Sequence, residues 1–524
     1  MNGTQPQDDL TGRDRMAWNV LASWGGHFVF VIGGFIMPRL IDDRIGKESL
    51  GIWDFGWSLV TYFGLVSGGV MSSVGTFVAR YRAADEPERV SATVSTGLLI
   101  YLCTGSIVLL LTGLVTWQLP NWYSEQLAGQ IEPARWVVLF LGLSTFVQFV
   151  FAVFNGVITG CHRWGLHNGI TAACYAIQAS GMATAVLLGG GLKAISAVFL
   201  AGEVLAGIWR TAAAFRSYPQ LNVSLRRSEK LMAKDMLGFG SKSLLESVSR
   251  IVLYQTNNLL IMGFLGKPAV AMFSRPMSLV RHVSTFVNKF AYVFTPTAGA
   301  MQAGQDRESL RNLLIEGTRA GLYLALPMVL MLAVLGNSLL SIWMGEDYVM
   351  PWVVGVLAIG HLAALSQRAT YHILMGMGRH GVPGMAMLAA ALVAVGLSVL
   401  TLGVLEWGLL GAAISVVLPL TLVNAIVLPW YAARCVGISY GSYALKSVTG
   451  PLLANLPYIG CMVSARIWFA DDPLTAFVVG FGVGGLVLAG VYWRFALPAS
   501  LKGRVVGRLF RRRAAVSGAA ARSG

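Results

Sequence analysis

Apolar residues in this chain run in long, nearly uncharged stretches, separated by short segments that hold most of its Arg, Lys, Asp and Glu. A helix needs about 20 such residues to cross a bilayer. The pattern places spans at roughly 17–40, 51–78, 91–116, 135–160, 169–189, 195–215, 240–264, 270–298, 313–335, 352–375, 383–404, 408–432, 450–469 and 474–496, with boundaries good to about four residues. The expected fold class is therefore an all-α polytopic membrane protein with about fourteen transmembrane helices. The longest connection, 216–238, and the other short loops leave no room for a soluble catalytic domain.

Composition narrows the class. Of 524 residues, 55% are apolar and 12% charged, about half the charged share of soluble domains. That excludes a soluble enzyme, a disordered chain, a collagen and a small secreted domain. The first apolar run is too long for a signal-peptide core and is expected to stay in the mature protein. Cys103, Cys161, Cys174, Cys435 and Cys461 are scattered, with no CxxC and no histidine cluster. They read as small core residues, with no metal, cofactor or disulfide expected.

The net charge of +15 reads as positive-inside bias rather than nucleic-acid binding. When alternate loops are assigned to opposite sides, one side collects Arg13, Arg15, Arg80, Arg82, Arg89, Arg163, the basic segment 210–234, Arg307, Arg311, Arg379, Arg434, Lys446 and the Arg-rich tail. The other keeps only Arg39, Arg44, Lys47, Arg135, Lys193, Lys267 and Arg466. Both termini are expected in the cytoplasm. The segment 216–239, with basic residues among Leu and Met, is expected to link two lobes as an interfacial amphipathic helix. The domain reading is an N-lobe at 1–215, the linker at 216–239, a C-lobe at 240–432, two further spans at 433–497 and a basic tail at 498–524.

The lobes match at an offset of 220 residues. The segment from Ile45 to Val60 aligns with Leu265 to Val280, with identities Gly46/Gly266, Lys47/Lys267, Ser58/Ser278, Leu59/Leu279 and Val60/Val280. Equivalent spans lie six apart, so the halves run in the same direction. They would be related by a pseudo-two-fold axis along the membrane normal, an arrangement suited to alternating access.

Charge inside the spans gathers on the seventh and eighth. Lys242, Glu246 and Arg250 recur every four residues, with Asn257 near the same face. Arg275, Ser278, His282, Thr285 and Lys289 share a second face, with Arg281 beside it. A central charge costs roughly 2.5–3.5 kcal/mol on insertion scales, so each needs a cavity, a partner or a route to the interface. Pairing of Glu246 with its neighbours, and snorkelling of Lys242 and Arg275, is the bland account. It fits Arg281 and Lys289 less well. The functional account is a cationic cavity for an anion such as a diphosphate. The first half offers polar candidates: Asn19, Ser23 and His27 on span 1, and Asp54, Ser58 and the small-residue run 67–73 on span 2. Glu203 and Glu246 are coupling candidates. Glu316 is expected to pair with Arg319.

The stretch LGIWDFGWSLVTYFGLVSGGVMSSVGTFVARYRA, the FTPTAGAMQAG exit from span 8 and the SIWMGEDY end of span 9 resemble the Wzx-type polysaccharide flippases. That family belongs to the multidrug/oligosaccharidyl-lipid/polysaccharide (MOP) exporter superfamily. The resemblance implies two six-helix lobes plus two added helices in the bacterial inner membrane. It also implies transfer of an undecaprenyl-diphosphate-linked oligosaccharide to the periplasmic leaflet, with Arg250, Arg275, Arg281 and Lys289 facing the substrate. A polysaccharide polymerase and a chain-length regulator are the partners it suggests. A peptidoglycan-precursor flippase is the neighbouring alternative, and a membrane polymerase or ligase acting on lipid-linked glycans is the alternative of another class. A multidrug antiporter fits less well, because a positive cavity repels cationic drugs.

Overall fold

A computed structural model describes residues 16–67, 70–241, 244–496 and 502, with side chains from residue 28 onward except 67–72, 239–244 and 246. The regular structure of these residues is entirely helical. From the start, α1 (Met16–Ile45) turns at Gly46 into α2 (Lys47–Phe63), and a short 3-10 turn leads toward α3 (Val70–Ala83). Next come α4 (Pro87–Trp122), α5 (Ile131–Gly160), α6 (Trp164–Leu187), α7 (Leu192–Ser217) and the short α8 (Lys230–Ser241). The second half holds α9 (Leu244–Leu265), α10 (Lys267–Ala291), α11 (Phe294–Ala303), α12 (Arg307–Met344), α13 (Val353–Ser366) and α14 (Arg368–Gly376). It closes with α15 (Gly381–Val399), α16 (Gly408–Leu422), α17 (Leu428–Val436), α18 (Tyr440–Trp468) and α19 (Pro473–Val491).

Ten helical stretches among the described residues are long and apolar enough to cross a membrane, against about fourteen spans expected from hydropathy. Of the expected spans not among the ten, the second and eighth are interrupted, as α2/α3 and α10/α11; the tenth, broken between α13 and α14, is still one of the ten. The polar residues that single out α9 and α10 also lower their hydropathy. At 36 residues, α4 is about 54 Å long at 1.5 Å per residue. It outruns a hydrocarbon core of about 30 Å, so its ends project beyond the apolar layer.

The 220-residue repeat is visible in the backbone. Gly46 and Gly266 both adopt positive φ, 101° and 82°, and each donates its N–H to the carbonyls five and four residues earlier. At the next turn, Asp85 (φ 57°) and Gln305 (φ 55°) are the equivalent left-handed residues. The residue after each heads a long helix, α4 or α12. The turns at both ends therefore correspond, whereas the breaks do not: α2 gives way at Gly64, while its counterpart α10 runs on to Ala291.

The chain packs as two compact units. The first comprises the described residues up to Arg275 together with Gly384–Pro419. In it α5 is central, packed by α2, α3, α4 and α7. The connection after α7 is docked rather than free: the backbone N–H groups of Asn222, Ser224 and Glu229 donate to the hydroxyls of Ser91, Ser95 and Thr96 on α4. Met232 and Met236 of α8 are buried, and the Ser73 hydroxyl donates to the Met236 carbonyl (2.8 Å). Two apolar side chains of α8 are thus spent on protein, while Leu231 and Leu237 stay exposed.

The second unit comprises Pro276–Pro383 and the described residues from Leu420 onward. Here α12 is central, with α13, α18 and α19 against it. A buried polar knot joins three helices: the Tyr443 hydroxyl lies 2.8 Å from Thr318 Oγ1 and 3.1 Å from Thr370 Oγ1 and donates to Gln367 Oε1 (3.0 Å). Asn455 donates to the Tyr492 hydroxyl, which donates to the Tyr323 carbonyl (both 2.8 Å). Inside a bilayer such groups have no water to fall back on, so they must find each other.

Candidate functional site

In the first unit the candidate residues lie where the two repeats meet. Gly51 allows the approach: a Cβ there would sit 1.9 Å from the Lys267 carbonyl oxygen, so α2 packs directly on the turn that starts α10. Lys267 Nζ bonds Glu48 (3.0 Å) and the Ala128 carbonyl (3.2 Å). Further in, Arg275 pairs with Asp54, the two side chains 5% and 16% exposed. Asn258 donates to the Ser58 hydroxyl (3.0 Å), and Tyr62 bonds Thr256. The Ser398 hydroxyl of α15 donates to Asn257 Oδ1 (3.0 Å).

Four of the candidates from the sequence thus fall in one polar seam, Asp54, Ser58, Asn257 and Arg275, while Arg250 stands two turns earlier on α9. Only Arg250 is exposed; Arg275 has a carboxylate partner, which helical spacing on its own strand of sequence did not reveal. Sequence reasoning missed Asn258, Thr256, Tyr62 and Ser398. The first three were legible as polar residues within one turn of Asn257 or Ser58; Ser398 stands alone in an apolar run.

In the second unit, α10 continues past Pro276 with Arg281 exposed and His282 and Lys289 half-buried. Next to Lys289, the Asn288 Oδ1 lies 3.3 Å from His372 Nε2, whose ring Nδ1 lies 3.0 Å from the Thr295 hydroxyl. His372 is buried between the edges of Tyr292 and Tyr371. This cluster was not singled out in the sequence.

Other candidates separate. Glu203 of α7 lies near Gln178 and Gln148, with Arg210 acting on it electrostatically, while the Gln178 amide donates to the Phe199 carbonyl (2.8 Å). Glu316 bonds Arg319 at 2.7 Å, and that guanidinium also donates to the Lys446 carbonyl. The side chains of Asn19, Ser23, His27, Lys242 and Glu246 lie outside the described residues, as does the basic tail apart from Lys502.

Long apolar helices, with charge concentrated on α9 and α10, are arranged in a fold shared with solved proteins of the MOP superfamily. A multidrug resistance MATE family transporter of that superfamily, in its inward-facing conformation, superposes with a TM-score of 0.65 over 79% of this chain and 94% of its own, at 16% identity. The lipid II flippase MurJ, in an inward closed conformation, matches at 0.64 over 91% and 99%, at 13% identity. The polysaccharide biosynthesis protein family model matches residues 82–351, more than half of the sequence, and the chain belongs to that family. Among curated relatives, the uncharacterized membrane protein EpsK of Bacillus subtilis is 24% identical over 80% of this chain and 83% of its own length. A putative O-antigen transporter of Shigella flexneri is 20% identical over 78% and 97%. The resemblance to Wzx-type transporters holds at the level of family and fold.

Proposed function

We propose that this protein is a flippase that carries an undecaprenyl-diphosphate-linked oligosaccharide from the cytoplasmic to the periplasmic leaflet by alternating access. The observation that carries this reading is the placement of Arg250, Arg281 and Lys289 on α9 and α10, two of them exposed, within a fold whose solved relatives are transporters. Guanidinium groups take a diphosphate bidentately, and the ammonium adds a point charge. Arg275 takes a different part, because Asp54 already balances its charge. The sugars would meet polar side chains, and the lipid tail would stay in the bilayer.

The seam from Lys267–Glu48 through Arg275–Asp54 to Asn258–Ser58 is a latch on the periplasmic end, where the sparse basic loops are expected. Release of substrate to that side requires the seam to part. On this reading the protein sits in the inner membrane with both termini in the cytoplasm, works beside a polymerase and a chain-length regulator, and performs no covalent chemistry. Two six-helix lobes move against each other, with Glu203 carrying the coupling proton.

Arg281→Ala and Arg250→Ala, singly and together, are expected to abolish surface polysaccharide while the protein still inserts, with lipid-linked repeat units accumulating on the inner leaflet. Normal glycan in both single mutants and the double mutant removes the proposed binding residues. Likeness to MurJ over nearly the whole chain keeps a second reading in play, a peptidoglycan precursor as cargo. A deletion strain that accumulates that precursor instead of polysaccharide units would select it.

A further inference from the structure

The two repeats use the same turn before their long helices, yet they line it with opposite chemistry. In the first repeat the turn holds Arg82, Asp85 and Pro87, with Tyr218 close enough to interact with Arg82 and Asp85. In the second, the equivalents of Arg82, Asp85 and Pro87 are Gln302, Gln305 and Arg307, so the acid is lost and the single cation moves to the head of the long helix. Gln305 keeps the left-handed backbone of Asp85, φ 55° against 57°. A cavity of about 530 Å³ opens there, with Gln302, Gln305, Arg307, Arg379 and Cys435 among its lining and no carboxylate. Asp306, next in sequence, faces its own helix and accepts from the Ser309 N–H (3.0 Å). Arg379 lies close enough to Cys435 to interact with it.

We propose that this cavity in the second unit is a binding site for the phosphate-bearing headgroup of an anionic membrane phospholipid, held by Arg307 and Arg379 with Gln302 and Gln305 as neutral donors. Basic pockets between transmembrane helices at an interface bind anionic headgroups, and guanidinium matches phosphate geometry. What favours a lipid over a soluble phosphate is the surrounding surface. One turn away, a second cavity of about 420 Å³ is lined by Trp430, Arg434 and Tyr440. Trp430 and Tyr440 are 50% and 39% exposed, and the Arg434 guanidinium lies 5.6 Å from the Trp430 ring centre. Exposed Trp and Tyr beside arginine mark the headgroup level of a bilayer. The same end of this unit carries Arg307, Arg311, Arg379, Arg434 and Lys446 against Asp306 and Glu308, whereas Glu346, Asp347, Asp471 and Asp472 lie in the loops at the other ends of these helices. Anionic lipid held here would brace the ends of α12, α14 and α17 against one another.

Cys435 supplies the readout. The full-length protein, carrying Gln220→Cys in an exposed loop as internal control, is placed in nanodiscs of phosphatidylcholine alone or with phosphatidylglycerol, and maleimide labelling of each cysteine is followed by peptide mass spectrometry. Labelling of Cys435 is expected to be several-fold slower with phosphatidylglycerol, while the control cysteine is unchanged. Arg307→Gln with Arg379→Gln should erase that difference. Gln305→Asp, which restores the first repeat's acid in a turn that already accepts one, should erase it in a protein that folds normally. Equal labelling of Cys435 in both discs overturns the proposal. Slowing by inorganic phosphate in phosphatidylcholine discs to the same extent also overturns it, since the ligand would then be a soluble anion. Neither outcome depends on which glycan is transported.

Discussion

Arg275 and Asp54 form an ion pair across α2 and α10 within the first unit, with the arginine nearly sealed. Removing one partner of a buried pair leaves an uncompensated charge and costs roughly 3–5 kcal/mol, whereas replacing both with apolar groups of similar volume is often neutral. Asp54→Asn is therefore expected to lower the melting temperature in detergent and to expose the Glu48–Lys267 end to water-soluble thiol reagents at engineered cysteines. The double variant Asp54→Leu with Arg275→Met should restore stability. Equal stability of Asp54→Asn and the parent protein would show that the pair is not a latch.

The close approach at Gly51 sets a second expectation. Its Cβ would lie 1.9 Å from a backbone carbonyl, and backbone cannot yield as a flexible side chain can. Gly51→Ala should reduce the yield of folded protein sharply, while Gly113→Ala on α4, with open space around the new methyl group, should be silent. Fluorescence-detected size exclusion of tagged variants compares them.

These two sites show what the sequence could and could not reveal. The 220-residue repeat was readable because Gly46/Gly266 and Lys47/Lys267 preserve a turn that needs positive φ. The charged faces of α9 and α10 were readable because helical spacing is local. The Asp54 partner of Arg275 was not, because it lies 221 residues away in sequence and no periodicity links two helices. Interruption of the second and eighth spans was equally hidden, since hydropathy averages across a break at Gly64–Ser67 or Tyr292–Val293. His372 was missed for a simpler reason: a single histidine in an apolar span gives no sign that Asn288 and Thr295 come to meet it.

In the proposed transport cycle Glu203, with Arg210 nearby, carries the coupling proton. Glu203→Gln keeps the hydrogen-bonding size but removes titration. In liposomes with lipid-linked substrate, transport driven by a pH gradient should fall by more than tenfold, with substrate binding retained. An unchanged response to the gradient would assign coupling elsewhere.

The Tyr443 knot fixes α18 to α12 and α14. Tyr443→Phe leaves Gln367 Oε1 without its donor, while Thr318 and Thr370 still bond each other at 2.9 Å. An unmet buried acceptor costs about 1–3 kcal/mol. The variant should melt several degrees lower, and trypsin should cleave sooner in the α17–α18 connection around Arg434. A melting curve identical to that of the parent would mean that α18 is held by its apolar contacts alone.

Two exposed carboxylates give the pH dependence. Asp306 caps α12, and hydrogen bonds from the Ser309 side chain and then its backbone hold its carboxyl below the ordinary 3.8. Asp472 caps α19, held below the same value chiefly by the Thr475 hydroxyl, then by backbone N–H groups. Each folded-state pKa is depressed, so the unfolded chain binds the proton first as the pH drops. The caps therefore contribute fully above the ordinary carboxylate value and lose their contribution as pH falls through it toward the folded-state value. Asp306→Ala with Asp472→Ala should melt below the parent at neutral pH, and the gap should close progressively below about pH 4. Melts of the two proteins from neutral to acid pH measure this directly, and a gap that persists undiminished at the acid end would show that the loss came from something other than the ionised caps.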